Sequence, residues 1–120
     1  MLRVKTRLAP SPIHGIGLFA VNKILKGTLV WEWDKDLDIK IRDDWSKENH
    51  ESFFETYGWR DGFWRFVCFD NARFINHSSN PNLDGPPDES YAIRDIEAGE
   101  ELTEDYSYDD DFPSYKDTLH

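Results

Sequence analysis

The sequence predicts a mostly β domain, barrel-like or built of several sheets, with a single helix. Three observations carry that prediction. Apolar residues recur in short alternating runs separated by Gly, Pro and Asn turn signals. Only one stretch, about residues 45–57, has both a capping residue and a stop signal for a helix. The pattern Ala-[Val/Ile]-x-x-Ile-x-x-Gly occurs twice, at residues 20–27 and 92–99. A chain of 120 residues makes one domain, able to bury roughly two-thirds of its unfolded surface.

In chain order, Leu2, Val4 and Leu8 alternate with Arg3, Lys5 and Arg7, the pattern of a half-buried strand. A turn-rich piece, residues 9–17, follows, and an extended pattern resumes at residues 18–21. Leu29, Trp31 and Trp33 share one face of the next strand. Residues 34–44 form an acidic loop with a short extended piece at 39–41. Asp43 or Asp44 is placed to cap the helix, and Gly58 to stop it. Residues 63–69 read as a strongly apolar strand. Residues 91–96 and 101–106 read as two more, around the turn Glu97-Ala98-Gly99. Each copy of the repeat reads as a strand that turns at a glycine able to take positive φ and then returns. The tail, residues 109–120, is acidic and carries Phe112 and Tyr115.

The formal net charge of −10 argues against a nucleic-acid binder, which would show a basic stripe, and favours a cationic partner. Cys68 is the only cysteine, so there is no disulfide framework and no cysteine-based zinc cluster. It lies in an apolar run and reads as a small core residue. The four histidines lack the spacing of paired metal ligands. No apolar stretch suggests a signal peptide or a membrane span, so the expected location is cytoplasmic.

Three stretches draw notice beyond the fold. In His14-Gly15-Ile16-Gly17-Leu18-Phe19-Ala20, two glycines remove side chains where a ligand could meet the backbone, although a tight turn would use them equally. It lacks the third glycine and following helix of a dinucleotide fold. The stretch Arg73-Phe74-Ile75-Asn76-His77-Ser78-Ser79-Asn80-Pro81-Asn82 ends in a turn signal. Its Asn76 and His77 either fix the loop or offer donors and acceptors to a ligand. In Gly99-Glu100-Glu101-Leu102-Thr103-Glu104-Asp105-Tyr106-Ser107-Tyr108, two tyrosines fall on one face if the strand persists.

Together, in this order and spacing, the three stretches resemble the SET-domain family of protein-lysine methyltransferases, as a small stand-alone version. The resemblance covers about residues 2–110, and its middle and last motifs are highly specific. It implies a mainly β, β-clip-like fold of several small sheets with one short helix. It also implies a C-terminal pseudoknot in which the last strand threads a loop near residues 73–77. S-adenosylmethionine would bind one face, and the target lysine would enter a channel from the other. By position, Ile16, Gly17 and Leu18 would lie along the methionine part of the cofactor, with Arg73 and Phe74 flanking it. Asn76 and His77 would hold its amino and adenine groups. Tyr106 matches the catalytic tyrosine and would touch the cofactor, and Trp33 and Tyr108 would line the lysine channel.

The implied reaction is methyl transfer from a sulfonium to an amine, an in-line displacement that depends on placement. A lysine must be neutral to attack, which at pH 7 costs about 4–5 kcal/mol from its ordinary pKa. An apolar channel and a nearby sulfonium lower that cost, so no dedicated base is required, and the motifs offer no obvious one. The acidic surface with Glu104, Asp105 and residues 109–111 would suit a basic, lysine-containing protein or peptide. Neither nucleic acid nor membrane is an expected partner, and a homodimer is possible.

Two departures from the family pattern stand out. Ser79 replaces a cysteine that many relatives carry, and the tail lacks their zinc-binding cysteines, so no zinc is expected. Cover for the channel would come from the tail or from a second subunit. Trp33-Asp34-Lys35 replaces Tyr-x-Gly. The alternative reading is therefore a catalytically silent SET-like module that binds a peptide or the cofactor.

Overall fold

A computed structural model describes residues 1–45, 51–86 and 88–106. The chain pairs into four small sheets. A hairpin joins β1 (Thr6–Pro10) to β2 (Ile16–Ala20), in register Thr6↔Ala20 to Pro10↔Ile16. Its turn is closed by the Ser11 N–H donating to the Gly15 carbonyl at 2.8 Å, with Gly15 at φ +46°. The predicted strand over residues 2–8 is displaced. The chain bends at Val4, so Leu2 and Val4 pack on the core while Leu8, beyond the bend, is exposed.

A three-stranded sheet has the order β3 (Leu29–Glu32), β9 (Glu89–Ala92), β8 (Leu83–Asp84). A bulge between Leu29 and Trp31 buries the consecutive residues Val30 and Trp31 together. The expected common face of Leu29, Trp31 and Trp33 is therefore interrupted, because the extra residue resets the alternation.

The second three-stranded sheet has the order β4 (Ile39–Arg42), β6 (Trp64–Val67), β5 (Gly58–Asp61). Strand β5 was not expected. Its Asp61-Gly62 turn, with Gly62 at φ +62°, is a hairpin signal that the helix and long-strand readings on either side concealed. Helix α1 spans Glu51–Tyr57. The helix expected over 45–57 agrees at its end, the Asp44 carboxylate accepts the Trp45 N–H at 2.9 Å, and residues 46–50 lie outside the described residues. Gly58 ends α1 because the chain turns directly into β5. A Cβ there would lie 2.2 Å from the Phe66 carbonyl oxygen, so only glycine lets the strands meet. The apolar strand expected over 63–69 shortens to β6, with Phe63 and Phe69 exposed.

After β6, the 3-10 turn η1 (Asn71–Phe74) is capped by Asp70, whose carboxylate accepts the Ala72 N–H at 3.0 Å. It delivers β7 (Asn76–His77), which pairs in parallel with β10 (Thr103–Glu104). The strands expected over 91–96 and 101–106 contract to β9 and β10, and their remaining residues make single bridges instead.

Those bridges explain the repeat. The copies do not fold into separate hairpins but pair with each other about a local pseudo-twofold. The Ile24 and Ile96 backbones exchange two hydrogen bonds of 2.8 Å. Gly27 N–H donates to the Ala92 carbonyl and Gly99 N–H to the Ala20 carbonyl. Ala20 N–H reaches the Glu100 carbonyl, and Ala92 N–H the Thr28 carbonyl. Both glycines hold positive φ, +91° and +86°. The core forms around this cross, with Leu18, Ile96, Leu102, Val30 and Leu83 at 0% exposure.

Candidate active site

The three motifs converge on the parallel pair β7–β10. Asn76, nearly buried, donates its side-chain amide to the His14 carbonyl at 3.1 Å and to Glu101 Oε2 at 2.9 Å, with a longer contact to the Ile16 carbonyl at 3.4 Å. A carboxylate and a carbonyl can only accept, so the amide orientation is fixed and Oδ1 is left for a ligand. Glu101 also takes the Ser11 hydroxyl at 2.8 Å. It packs so closely under Gly17 that a Cβ there would lie 2.4 Å from Oε2. Gly17 is thus required by packing against Glu101.

His77 Nδ1 accepts the Tyr106 N–H at 3.0 Å, and the two rings are 5.5 Å apart. Asp105 Oδ1 lies 3.8 Å from the same nitrogen. Because Nδ1 is already an acceptor, the proton of a neutral ring sits on Nε2. The Tyr106 hydroxyl donates to the Ile75 carbonyl, which fixes the phenol oxygen. Asn82, at 1% exposure, clamps the last motif. Its Nδ2 donates to the Glu101 carbonyl at 2.7 Å, and its Oδ1 accepts the Thr103 N–H at 2.9 Å. Asn82 reads in the sequence as part of a turn, and its pairing with a strand twenty residues on carries no local signal.

Two cavities meet at Tyr106. The smaller, about 230 Å³, is lined by His14, Gly15, Ile16, Phe74 and Asn76. The larger, about 530 Å³, is lined by Trp31, Trp59, Leu83, Asp84 and Glu104, among others. Thr56, Tyr57, Arg73, Ile75 and Tyr106 line both. The Arg73 guanidinium donates to the Phe69 and Asp70 carbonyls at 2.7 and 3.1 Å and lies 4.7 Å from the Phe74 ring.

Of the expected cofactor residues, Ile16, Arg73, Phe74, Asn76 and Tyr106 line the smaller cavity. Gly17 and Leu18 lie in the strand behind it, and His77 supports Tyr106 from beneath. Of the channel residues, Trp33 packs edge-on against Trp59 and Phe66 at 5.8 and 5.6 Å, while Trp31 and Trp59 form the wall of the larger cavity. Tyr108 and the acidic tail lie outside the described residues.

One acid differs from its sequence reading. Glu104, expected on the surface, lines the larger cavity and accepts the Ser90 hydroxyl. Burial raises its carboxyl above the usual carboxylate range. The Ser90 hydrogen bond offsets part of that rise, and the nearby Asp84 charge adds to it. Glu101, to which the sequence reading gave no role, is the hub of the Asn76 network. Cys68 also lines the larger cavity, where burial, followed by Asp38, Glu104 and Asp70, holds its thiol well above its ordinary pKa. Among the described residues, no cluster of three His, Cys, Asp or Glu side chains could hold a metal ion. No helix among them is long and apolar enough to cross a membrane.

A parallel strand pair that joins a glycine loop, an Asn-His segment and a tyrosine between two cavities defines the architecture of a SET domain. The model of that family, described as "SET domain", matches residues 15–107. This chain belongs to the SET-domain family. It is 32% identical over 121 residues to histone-lysine N-methyltransferase EZH2 of Chaetomium thermophilum, covering 83% of this chain and 8% of that protein. It is 35% identical over 117 residues to the H3 lysine-4 specific histone-lysine N-methyltransferase of Schizosaccharomyces pombe, covering 82% and 12%. The chain therefore spans a small part of the relatives it matches. Among solved structures, it superposes with a TM-score of 0.72 and 25% identity on apo ctPRC2 with E840A and K852D mutations in Ezh2, covering 96% of this chain and 16% of that one.

The residues of the smaller cavity suit groups that S-adenosylmethionine carries. Asn76 Oδ1 is an acceptor for an ammonium, Gly15 contributes backbone with no side chain in the way, and Phe74 offers an aromatic ring.

Proposed function

We propose that this chain transfers a methyl group from S-adenosylmethionine to a lysine side chain of a basic protein. The observation that carries the proposal is that Tyr106 lines both cavities, one built on backbone and the Asn76 amide, the other aromatic and acidic. Names of relatives that include histone-lysine N-methyltransferase support the same substrate class.

Bound cofactor supplies an electrophilic methyl on a sulfonium. Asn76 Oδ1 would accept from the cofactor ammonium, and the backbone at His14 to Ile16, held by the Asn76 amide, would lie alongside it. The Tyr106 oxygen, held by its hydrogen bond to Ile75 on the wall the two cavities share, would steady the methyl during transfer. Such contacts to a polarised methyl are individually weak, and their placement is what counts. In the larger cavity, Trp31 and Trp59 enclose the aliphatic part of the lysine, and the acidic rim attracts a basic segment.

Calorimetric titration with S-adenosylhomocysteine tests the cofactor half, and absence of binding sinks the proposal. A radiolabelled-donor assay on a panel of basic proteins, histones included, tests the transfer. Binding without any turnover would make the chain a catalytically silent module. Mass spectrometry of the labelled protein then identifies the lysine.

A further inference from the structure

We propose that Glu104 takes the proton of the substrate amine, as the carboxylate against which the lysine ammonium is bound and to which it gives up that proton before methyl transfer. The inference rests on the methyltransferase reading above and adds a catalytic residue to it.

The geometry supplies the argument. Glu104 stands two residues before Tyr106, and both line the larger cavity. Three other carboxylates line it too, but Asp61 and Asp84 are exposed, and Asp105 stands 3.8 Å from His77 Nδ1. Glu104 is the recessed one, with the Ser90 hydroxyl held on Oε1. Asp84 from β8, Ser90 from β9 and Cys68 after β6 lie near it, and His77 is its register partner on β7. Arg73 and Asp61 stand elsewhere on the cavity wall. The Arg73 guanidinium is engaged by two backbone carbonyls. Among the described residues, no lysine or arginine pairs with Glu104, and an incoming ammonium would fill that place.

Such a carboxyl prefers the neutral form more than an ordinary one does, which brings its basicity closer to neutral pH, where a general base works best. The step balances. Ammonium and carboxylate become amine and carboxylic acid. The amine nitrogen then bonds the methyl as the carbon–sulfur bond breaks, giving a methylammonium and the neutral thioether. Glu104 releases its proton to water when the product leaves.

The test compares wild type, Glu104→Gln and Glu104→Asp on the protein methylated in the assay above. Glutamine keeps the shape and an acceptor for Ser90 but cannot take a proton. At pH 7, Glu104→Gln should turn over about 100-fold more slowly. It should recover most of that loss near pH about 10, where lysine loses its proton to solvent unaided. Glu104→Asp should fall between the two. A second measurement needs no variant. Without methyl donor, binding of the target peptide to wild type should weaken on acidification while carboxylates of ordinary pKa are still ionised. Binding of its norleucine twin should not change. Equal pH profiles for wild type and Glu104→Gln would overturn the proposal. So would a loss in Glu104→Gln that persists at high pH, because it marks a structural role. If wild type methylates nothing on the panel, the methyltransferase reading fails first and this one with it. Wild-type turnover with an unaltered Gln profile removes Glu104 alone.

Discussion

The two cavities that meet at Tyr106 each suit a cationic ligand, yet they handle charge by different means. Among the described residues, the smaller has no carboxylate on its wall and offers the Asn76 amide, the backbone at His14 to Ile16 and the edge of Arg73. The larger combines indoles with four carboxylates, from Asp61, Asp84, Glu104 and Asp105. Fixed dipoles suit a resident cofactor whose position must not vary, since they cost no reorganisation when charge shifts. Carboxylates suit a partner that arrives from solution, because their attraction reaches beyond contact distance. One side is therefore built for placement and the other for capture.

The most severe way to break this division is to remove the tyrosine hydroxyl that both cavities share. Tyr106→Phe should lower methyl transfer by about 100-fold, as loss of a single well-placed polar group does elsewhere. S-adenosylhomocysteine affinity by calorimetry should stay close to wild type, and equal turnover would exclude the phenol oxygen from the mechanism. On the cofactor side alone, Asn76→Ala should weaken S-adenosylhomocysteine about 10–100-fold, the usual value of a hydrogen bond to a charged group. Gly17→Ala forces a Cβ into Glu101, whose carboxylate is held by Ser11 and Asn76. It should cost about 1–3 kcal/mol in denaturant unfolding and weaken the cofactor as well.

Changes on the substrate side should leave cofactor affinity alone. Trp59→Phe should raise the KM for the protein substrate more than Trp33→Phe does, because Trp59 lines the cavity and Trp33 packs behind it. The smallest effect concerns stability. The Glu104 carboxyl is raised in the folded state, so the fold binds more protons there than the unfolded chain does. Its contribution to stability therefore falls as pH rises from the ordinary carboxylate range through the raised value. Glu104→Gln should accordingly stabilise the protein in unfolding experiments at neutral pH, with the gain shrinking as pH falls below that range. A gain that did not vary with pH would mean that Glu104 has an ordinary pKa.

Local patterns in the sequence were enough to place most elements and the three motifs. Gly27 and Gly99 announced positive φ because only glycine adopts it at no steric cost. Asp61-Gly62 carried a hairpin signal, but the helix reading before it and the long strand read after it masked β5. The bulge in β3 was not legible, because it depends on how Leu29 and Trp31 pair with a strand sixty residues on.

By itself, the sequence determined the short β elements, the order of the motifs and the tyrosine they share, since these follow from periodicity and local backbone preference. Only the tertiary structure decided that the two repeats pair with each other and that Asn82 and Glu101 bind the motifs together. It also moved Glu104 from an apparent surface acid to the wall of a cavity. Hydrogen bonds between distant residues leave no periodic trace, and the environment that sets a carboxyl's basicity exists only once the chain has closed around it.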